Sequence, residues 1–207
     1  MTASSPSRQR GSRQLWLDAA YDLLISDGIE AVKVMSLAKR LNLTRTGFYW
    51  FFKDIAELQA AIVERWEDQN TGNLVARCEA EADTVGAALF NLMDCWFDPA
   101  LFDARLDLAI RNWARNDPAL QRRLDEADIR RIDAVTALFS RFGYSDAQAK
   151  ARSMTVIYTQ IGYISMQVTE DPEERLDRVP HYVEIFAGVH PTPEEVAAFE
   201  RRRGRGH

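Results

Sequence analysis

The sequence predicts an all-α protein, and three observations lead to that fold class. Apolar residues recur at intervals of three and four along most of the 207 residues, with polar residues between them. The alternation of β-branched residues that indicates strands is missing. Turn residues explain the interruptions between the helical stretches, which fall at Asp98-Pro99, Asp117-Pro118, Gly143 and Asp171-Pro172. We therefore expect about nine to ten helices.

The first part of the chain is expected to form three helices. The first covers residues 13–26 and the second covers residues 36–41. Asn42, a residue type that tolerates a positive φ, follows the second helix. Thr44 stands where the N-cap of a third helix is needed, and that helix is expected to run through Phe51.

The rest of the chain is expected to form a larger helical body. Asp54 can cap a longer fourth helix that connects the first part of the chain to this body. Further helices are expected at residues 84–97, 101–116, 118–142, 146–169 and 173–188, with a short one from Glu194. Residues 201–207 are expected to be frayed.

Composition limits the classes of function. No segment approaches the roughly 20 apolar residues that a membrane span needs, and the first residues lack the pattern of a secretory signal, so we expect a soluble cytoplasmic protein. Cys78 and Cys95 fit neither a zinc site nor a disulfide framework and are interpreted as buried free thiols rather than a redox switch. His181, His190 and His207 form no catalytic or ligand spacing. We expect no enzyme activity, no metal and no cofactor.

Charge is unevenly distributed along the chain, whose net charge is −5. Residues 1–53 hold eight basic and four acidic residues and carry +4, whereas the remainder holds 18 basic and 27 acidic residues and carries −9. A basic head on an acidic body would turn the head toward a polyanion. A solvated charged face is the plainer interpretation of the same asymmetry.

Two short helices joined by a tight turn, inside a three-helix head, make a helix-turn-helix, whose second helix can lie in the major groove of DNA. Residues 12–60, and above all 28–58, resemble the DNA-binding head of the TetR family of bacterial regulators. The residues that carry the resemblance are Leu37, Ala38 and Leu41 in the second helix, Leu43 before the third, and the closing run Phe48-Tyr49-Trp50-Phe51-Phe52-Lys53.

Some residues depart from the family pattern. Asn42 stands where glycine is usual, Ser36 where an acid is usual and Lys33 where a hydroxyl cap is usual. Thr46-Gly47 is an uncommon pair in the third helix, which suggests an unusual operator.

The resemblance implies how the chain is organised and what it does. Residues 1–54 would form the helix-turn-helix DNA-binding domain, and residues 55–207 a helical domain for effector binding and dimerisation. The protein would be a ligand-responsive transcriptional regulator, and a repressor on the resemblance alone. It would bind a pseudo-palindromic operator as a homodimer and be released by a small-molecule effector.

The expected DNA contacts are of two kinds. Arg45 can bind guanine O6 and N7 with two hydrogen bonds, and Thr46 can offer its methyl or hydroxyl group to a base. The contacts to phosphate are expected from Thr44 with the first amides of its helix, and from Lys33, Tyr49 and Lys53.

Two residues and one segment of the head allow a second interpretation. Gly47 lowers the helix propensity of the third helix. Either the backbone approaches DNA closely at this glycine, or the glycine arose by neutral drift. Trp50 points outward toward DNA or packs within the head. The basic arm with Arg8, Arg10 and Arg13 follows the minor groove or has no fixed structure.

The body carries no motif that identifies an effector. Large apolar residues near 84–116 are mostly core, but some would line a pocket, with polar groups such as Arg105, Arg111 or Asn112 orienting the ligand. An apolar stripe within residues 146–188 predicts a four-helix bundle across a two-fold axis, or an ordinary helix pair inside one monomer.

An alternative function is a helical protein-interaction module without DNA binding, because a helix-turn-helix can also pack against protein. Salt separates the two functions, since only phosphate neutralisation makes binding weaken steeply with rising salt.

Overall fold

The computed structural model describes residues 11–204, which are largely helical and contain no β-strand. The α-helices are α1 (Arg13–Asp27), α2 (Val34–Leu41), α3 (Arg45–Phe48), α4 (Ile55–Trp66), α5 (Asn73–Glu79), α6 (Val85–Phe97), α7 (Ala104–Ala114), α8 (Pro118–Arg141), α9 (Asp146–Ser165), α10 (Pro172–Asp177), α11 (Val179–Ala187) and α12 (Pro193–Arg202). A π-helical segment, Glu67–Gly72, joins α4 to α5 without interruption, and only Arg178 separates α10 from α11. The all-α prediction is confirmed.

The chain divides into two compact units, Met1–Trp66 and Glu67–His207. The sequence-based division after residue 54 precedes α4, whereas α4 packs against α1 within the first unit. Leu58 and Ile62, on one face of α4, are fully buried there. Burial of this apolar face explains why the first unit includes the fourth helix.

Three aromatic side chains form the centre of the first unit. Trp16 of α1 meets Phe48 of α3 edge to face, with ring centroids 5.4 Å apart, and Phe52 stacks on Phe48 at 5.5 Å. All three side chains are buried. Such pairs contribute about 0.5–1.5 kcal/mol each beyond the area they bury, so Phe48 is the main attachment of α3 to the rest of the unit.

The second and third helices differ in extent from the sequence-based expectation. α2 begins at Val34, two residues before residue 36, although its N-cap Lys33 provides no side-chain hydrogen bond. α3 ends at Phe48 rather than running through Phe51. Residues 49–51 continue as turns, in which the amides of Phe51 and Phe52 both donate to the carbonyl of Phe48.

The second unit differs from the expectation mainly at helix ends. α7 starts at Ala104 rather than at residue 101, because the Asp103 carboxylate caps it by accepting from the amides of Arg105 and Leu106. α9 ends at Ser165, short of residue 169. The helix expected over 173–188 is split at Arg178, next to Pro180, which has no amide hydrogen to donate. α5 and the π-helical segment were not predicted.

The carboxyl-terminal helix is ordered beyond the point where fraying was expected. α12 runs to Arg202, and Arg203 donates to the carboxylate of the buried Asp94 on α6 at 2.6 Å. Phe199 stacks on Phe90 at 5.0 Å. The expectation of fraying from residue 201 is therefore wrong as far as the described residues extend, because an ion pair and an aromatic pair attach α12 to α6.

A buried ionic network joins α7 to α8. Asp107 and Arg131 are 0% and 2% exposed, and their side chains pair at 3.1 Å. Arg111 donates to Asp107 at 2.8 Å and makes two hydrogen bonds to Asp128, at 2.7 and 2.8 Å. Arg131 also donates to Asp128 at 3.2 Å, so each charge in this group has at least two partners.

The same network includes the π-helical segment. Arg131 donates to the hydroxyl of Thr71 at 3.0 Å, and Asn70 donates to the carbonyl of Asp103 at 2.9 Å. Asn70 and Thr71 are both fully buried. These two polar residues occupy positions where an amphipathic helix would bury apolar ones, which is why the periodicity of the sequence did not predict this segment.

The two cysteines are free and buried. Burial raises the pKa of the Cys78 thiol far above its usual range and raises the pKa of Cys95 to about 12. Both thiols therefore stay protonated near neutral pH and have little nucleophilic character.

Replacing Asp107 by alanine tests the stabilising role of the buried network. The Asp107→Ala variant leaves Arg111 and Arg131 with one carboxylate between them, that of Asp128, so one positive charge is uncompensated and we expect the free energy of unfolding to fall by about 3–5 kcal/mol. Asp133→Asn is the control, because it breaks an exposed ion pair with Lys150 and should change the same quantity by about 0–1 kcal/mol. Urea denaturation followed by circular dichroism measures both. Equal, small effects would contradict the assigned role.

Candidate functional site

The turn between α2 and α3 has the geometry of a helix-turn-helix. Asn42 ends α2 in the left-handed conformation, with φ 52° and ψ 40°. Thr44 then takes the extended conformation of an N-cap, and its side-chain oxygen accepts a hydrogen bond from the amide of Gly47 at 3.2 Å. Asparagine is among the few residue types that adopt this backbone conformation at low cost, so it performs the role of the usual glycine.

Arg45, Thr46 and Tyr49 lie exposed together on α3 and the turn that follows. The Arg45 guanidinium donates to the Tyr49 hydroxyl at 3.2 Å and lies 5.7 Å from the centroid of its ring. This contact reduces the conformational freedom of both side chains before any partner binds. Arg45 keeps donors for a further acceptor, because a guanidinium carries five N–H groups.

Trp50 is 82% exposed, the most solvent-exposed of the large apolar side chains in the described part of the chain. Its neighbours Phe48 and Phe52 fill the core of the unit, while Phe51 is half-buried. Packing within the first unit therefore does not account for this tryptophan. An exposed ring of this size is suited to contact a partner.

Lys33, Lys39, Arg45 and Lys53 are exposed and form no ion pair with another described residue. By contrast, other basic side chains of the unit are engaged: Arg13 with Glu57 at 4.0 Å, Arg40 with Asp22 at 3.3 Å and Arg65 with Asp18 at 2.7 Å. Four positive charges are thus available to an anionic partner. Lys39 was not singled out in the sequence, where nothing but its charge distinguishes it.

Gly47 lies in the middle of α3, where a side chain would fit. A Cβ added there would lie 3.6 Å from the Thr44 hydroxyl oxygen and 3.8 Å from Trp16, both ordinary contacts. The protein itself therefore does not require glycine at this position. Of the basic arm, Arg13 lies at the start of α1 with its guanidinium 4.6 Å from the Phe52 ring centroid, while Arg8 and Arg10 lie outside the described residues.

The second unit contains a cavity that opens partly to solvent. Its walls come from α6, α9, α10 and α11. Five of the lining side chains are aromatic: Trp96, Phe97, Tyr163, Tyr182 and Phe186. An apolar, largely aromatic lining is typical of sites for small organic molecules.

Few polar groups line this cavity. They include Thr159 and Gln160 on α9 and a single charged residue, Arg175 on α10. The candidate orienting groups Arg105, Arg111 and Asn112 are not among the lining residues, and Arg111 belongs to the buried network. On α9, the lining residues recur at the three- and four-residue spacing of one helix face. Ordinary core residues have the same spacing, so the sequence does not distinguish the two.

An exposed apolar surface lies on α9, the turn after it and α11. Tyr158, Met166, Ile185 and Val189 are 53%, 78%, 66% and 52% exposed. Other residues of the predicted stripe, such as Ile157 and Val183, are buried within the unit. The stripe therefore divides into a core side and an exposed side.

Within the described residues, no helix is long and apolar enough to cross a membrane, and no cluster of three or more His, Cys, Asp or Glu side chains could hold a metal ion.

Comparisons with known proteins agree with this architecture. The family model described as bacterial regulatory proteins, tetR family, matches residues 17–62, which cover the helix-turn-helix. No curated protein sequence matches the chain.

Solved structures share the fold along most of the chain. AmtR of Mycobacterium smegmatis has a TM-score of 0.63 at 15% identity, covering 99% of each chain. A transcriptional regulator of Rhodococcus sp. Rha1 has a TM-score of 0.61 at 18% identity, covering 93% of this chain and 97% of that one. A protein described as a TetR-family transcriptional regulator, from Mesorhizobium loti, has a TM-score of 0.56 at 15% identity, covering 96% and 98%. The family match over residues 17–62 and the shared fold make this chain similar to bacterial regulators of the TetR family.

Proposed function

We propose that this protein is a ligand-responsive repressor that binds a pseudo-palindromic operator as a homodimer and leaves it when a small molecule binds the body. The observation that carries the proposal is the surface around α3, where exposed cations without acidic partners lie beside exposed Tyr49 and Trp50. DNA supplies the phosphates and base edges that such a surface fits.

Individual roles follow from side-chain chemistry. Arg45, held by Tyr49, reads guanine in the major groove, and Thr46 contacts the neighbouring base. The phosphate contacts are assigned to Lys33, Thr44, Tyr49 and Lys53. The Thr44 oxygen accepts the cap hydrogen bond, so its hydroxyl hydrogen remains available to a phosphate. Trp50 packs against the sugar-phosphate backbone.

The exposed apolar surface on α9 and α11 supports a homodimer formed through residues of about 146–188. Joining the two helices of each copy gives a four-helix bundle, which removes Tyr158 and Ile185 from water. A two-fold dimer also presents two copies of α3, as an operator with two symmetric half-sites requires.

Release from DNA follows from differential affinity. An effector that binds more tightly to a body conformation in which the two heads no longer fit adjacent grooves shifts the population toward that conformation. By reciprocity, the operator weakens effector binding by the same factor. The cavity in the second unit is the effector site that we propose.

Fluorescence anisotropy with DNA from upstream of the gene tests DNA binding directly. We expect the logarithm of the binding constant to fall linearly with the logarithm of the salt concentration, at about −0.9 per phosphate contacted. Binding that does not depend on salt, or no binding to any DNA, would favour a protein-interaction module instead.

Replacement of Arg45 and of Lys53 should have different effects on this binding. Arg45→Ala removes a base contact, so we expect operator affinity to fall by roughly 5- to 150-fold, with a smaller loss on unrelated DNA. Lys53→Gln removes a phosphate contact, so affinity should fall on all DNA alike and the salt slope should decrease by about 1. Anisotropy titrations on both DNAs measure these changes. If Arg45→Ala weakened both DNAs equally, its role in base recognition would be excluded.

Gly47→Ala separates the two interpretations of this glycine. Because a Cβ fits there, the substitution should raise the free energy of unfolding by up to about 1 kcal/mol. If the α3 backbone approaches DNA closely, the same substitution weakens operator binding, and we expect both effects together. Thermal denaturation and anisotropy measure them. A more stable variant with unchanged affinity would show that the glycine serves no contact with DNA.

The dimer surface is tested by a matched pair of isoleucines. Ile185 on α11 and Ile129 on α8 are 66% and 57% exposed. Ile185→Glu places charge in the proposed interface, so sedimentation equilibrium should report a monomer, whereas Ile129→Glu should leave the dimer intact. Dimers of both variants would place the interface elsewhere.

A further inference from the structure

The cavity of the second unit has a defined electrostatic character. Among its lining residues only Arg175 carries a charge. Its guanidinium lies between two rings, 4.8 Å from the centroid of Phe97 and 5.6 Å from that of Tyr163. Stacking of this kind fixes the plane of the group and leaves its N–H edges free to meet an acceptor.

Glu170, which pairs with Arg175, also binds other groups. Glu170 accepts from the Tyr163 hydroxyl at 2.5 Å and pairs with Arg178 at 2.7 Å, while Arg175 lies 3.7 Å away. Burial alone would raise the pKa of Glu170, but these hydrogen bonds and the two guanidinium charges lower it, so the group is ionised. The Arg175 guanidinium, with five N–H donors, keeps donors for a further acceptor.

A second group in the lining lacks a partner. The indole Nε1 of Trp96 is buried and has no hydrogen-bond acceptor among the described residues. A buried donor without an acceptor costs about 1–3 kcal/mol, which a ligand oxygen would recover. Trp16 of the first unit also lacks an acceptor, but it packs against Phe48 rather than lining this cavity.

On α9, the cavity and the exposed surface assigned to the dimer lie on different sides of the helix. Successive helix residues turn by about 100°, so Tyr158 lies on the side of α9 opposite Val156 and Tyr163, which line the cavity. A second copy of the chain packed on Tyr158 would therefore not cover the cavity wall that α9 forms.

We infer that the cavity binds a small aromatic carboxylate, its ring between the aromatic walls and its carboxylate at Arg175, with an oxygen accepting from Trp96. This inference rests on the proposed function in treating the cavity as the effector site. A cation is disfavoured because the one charged lining residue, Arg175, is itself positive. A neutral apolar molecule would leave both donors without acceptors.

Isothermal titration calorimetry of the full-length protein with three probes of one shape tests this. The probes are 2-naphthoate, the neutral 2-naphthamide and the cationic 2-naphthylmethylamine. We expect 2-naphthoate to bind at least about 10-fold more tightly than 2-naphthamide, as a hydrogen bond to a charged group implies, and the amine most weakly. If the amide bound as tightly as the acid, or none of the three bound, the inference would be overturned.

Two variants and a control assign the effect to residues. Arg175→Gln should reduce 2-naphthoate affinity by at least about 10-fold and bring the two affinities close together. Trp96→Phe should weaken acid and amide alike, by roughly 2- to 10-fold. Arg105→Gln removes an exposed arginine of α7 that does not line the cavity and should change nothing. A preference for the acid that survived Arg175→Gln would overturn the inference.

Operator binding of the same preparations keeps this test separate from the proposed function. A protein that binds DNA but not 2-naphthoate remains a regulator with another ligand class. A protein that binds 2-naphthoate but no DNA is not the proposed regulator.

Discussion

The attachment of Phe48 to the core of the first unit is the constraint on which the proposed DNA-binding surface depends. α3 has only four residues, and a helix of one turn is unstable in isolation because nucleation costs more than a single hydrogen bond returns. Contacts with Trp16 and Phe52, and the cap provided by Thr44, keep this turn folded. The exposed groups of α3 and of the turn after it that we assign to DNA are positioned by that small set of contacts.

The second unit depends on polar burial rather than on aromatic packing alone. Asp107 and Arg131 bind α7, α8 and the π-helical segment together through partners that satisfy each charge. Leaving one charge without its partner is far more costly than losing an exposed ion pair, so this group restricts how those three elements can move relative to one another. The cavity lies among other helices, where walls of large rings and few polar contacts leave room for a ligand.

Most of the fold could be predicted from the sequence because apolar periodicity and caps act locally. Thr44 marked the start of α3 correctly, whereas the split at Arg178 depended on the missing amide of Pro180 inside a helical pattern. The π-helical segment could not be predicted, since its buried Asn70 and Thr71 are satisfied by residues distant in sequence. The candidate residues of the head share one sequence motif, so they could be named from the sequence. The cavity is formed by residues of four helices that no motif links, so its residues could not be named.

Selection from a random DNA library with the full-length protein tests the central claim most directly, because it presupposes no operator. The account predicts that the enriched sequences form an inverted repeat, with half-site centres about 34 Å apart, or a multiple of that distance, along the duplex. Such symmetry requires two heads related by a two-fold axis, each presenting α3 to the major groove. Failure to enrich any sequence, or enrichment of a site without two-fold symmetry, would contradict the account.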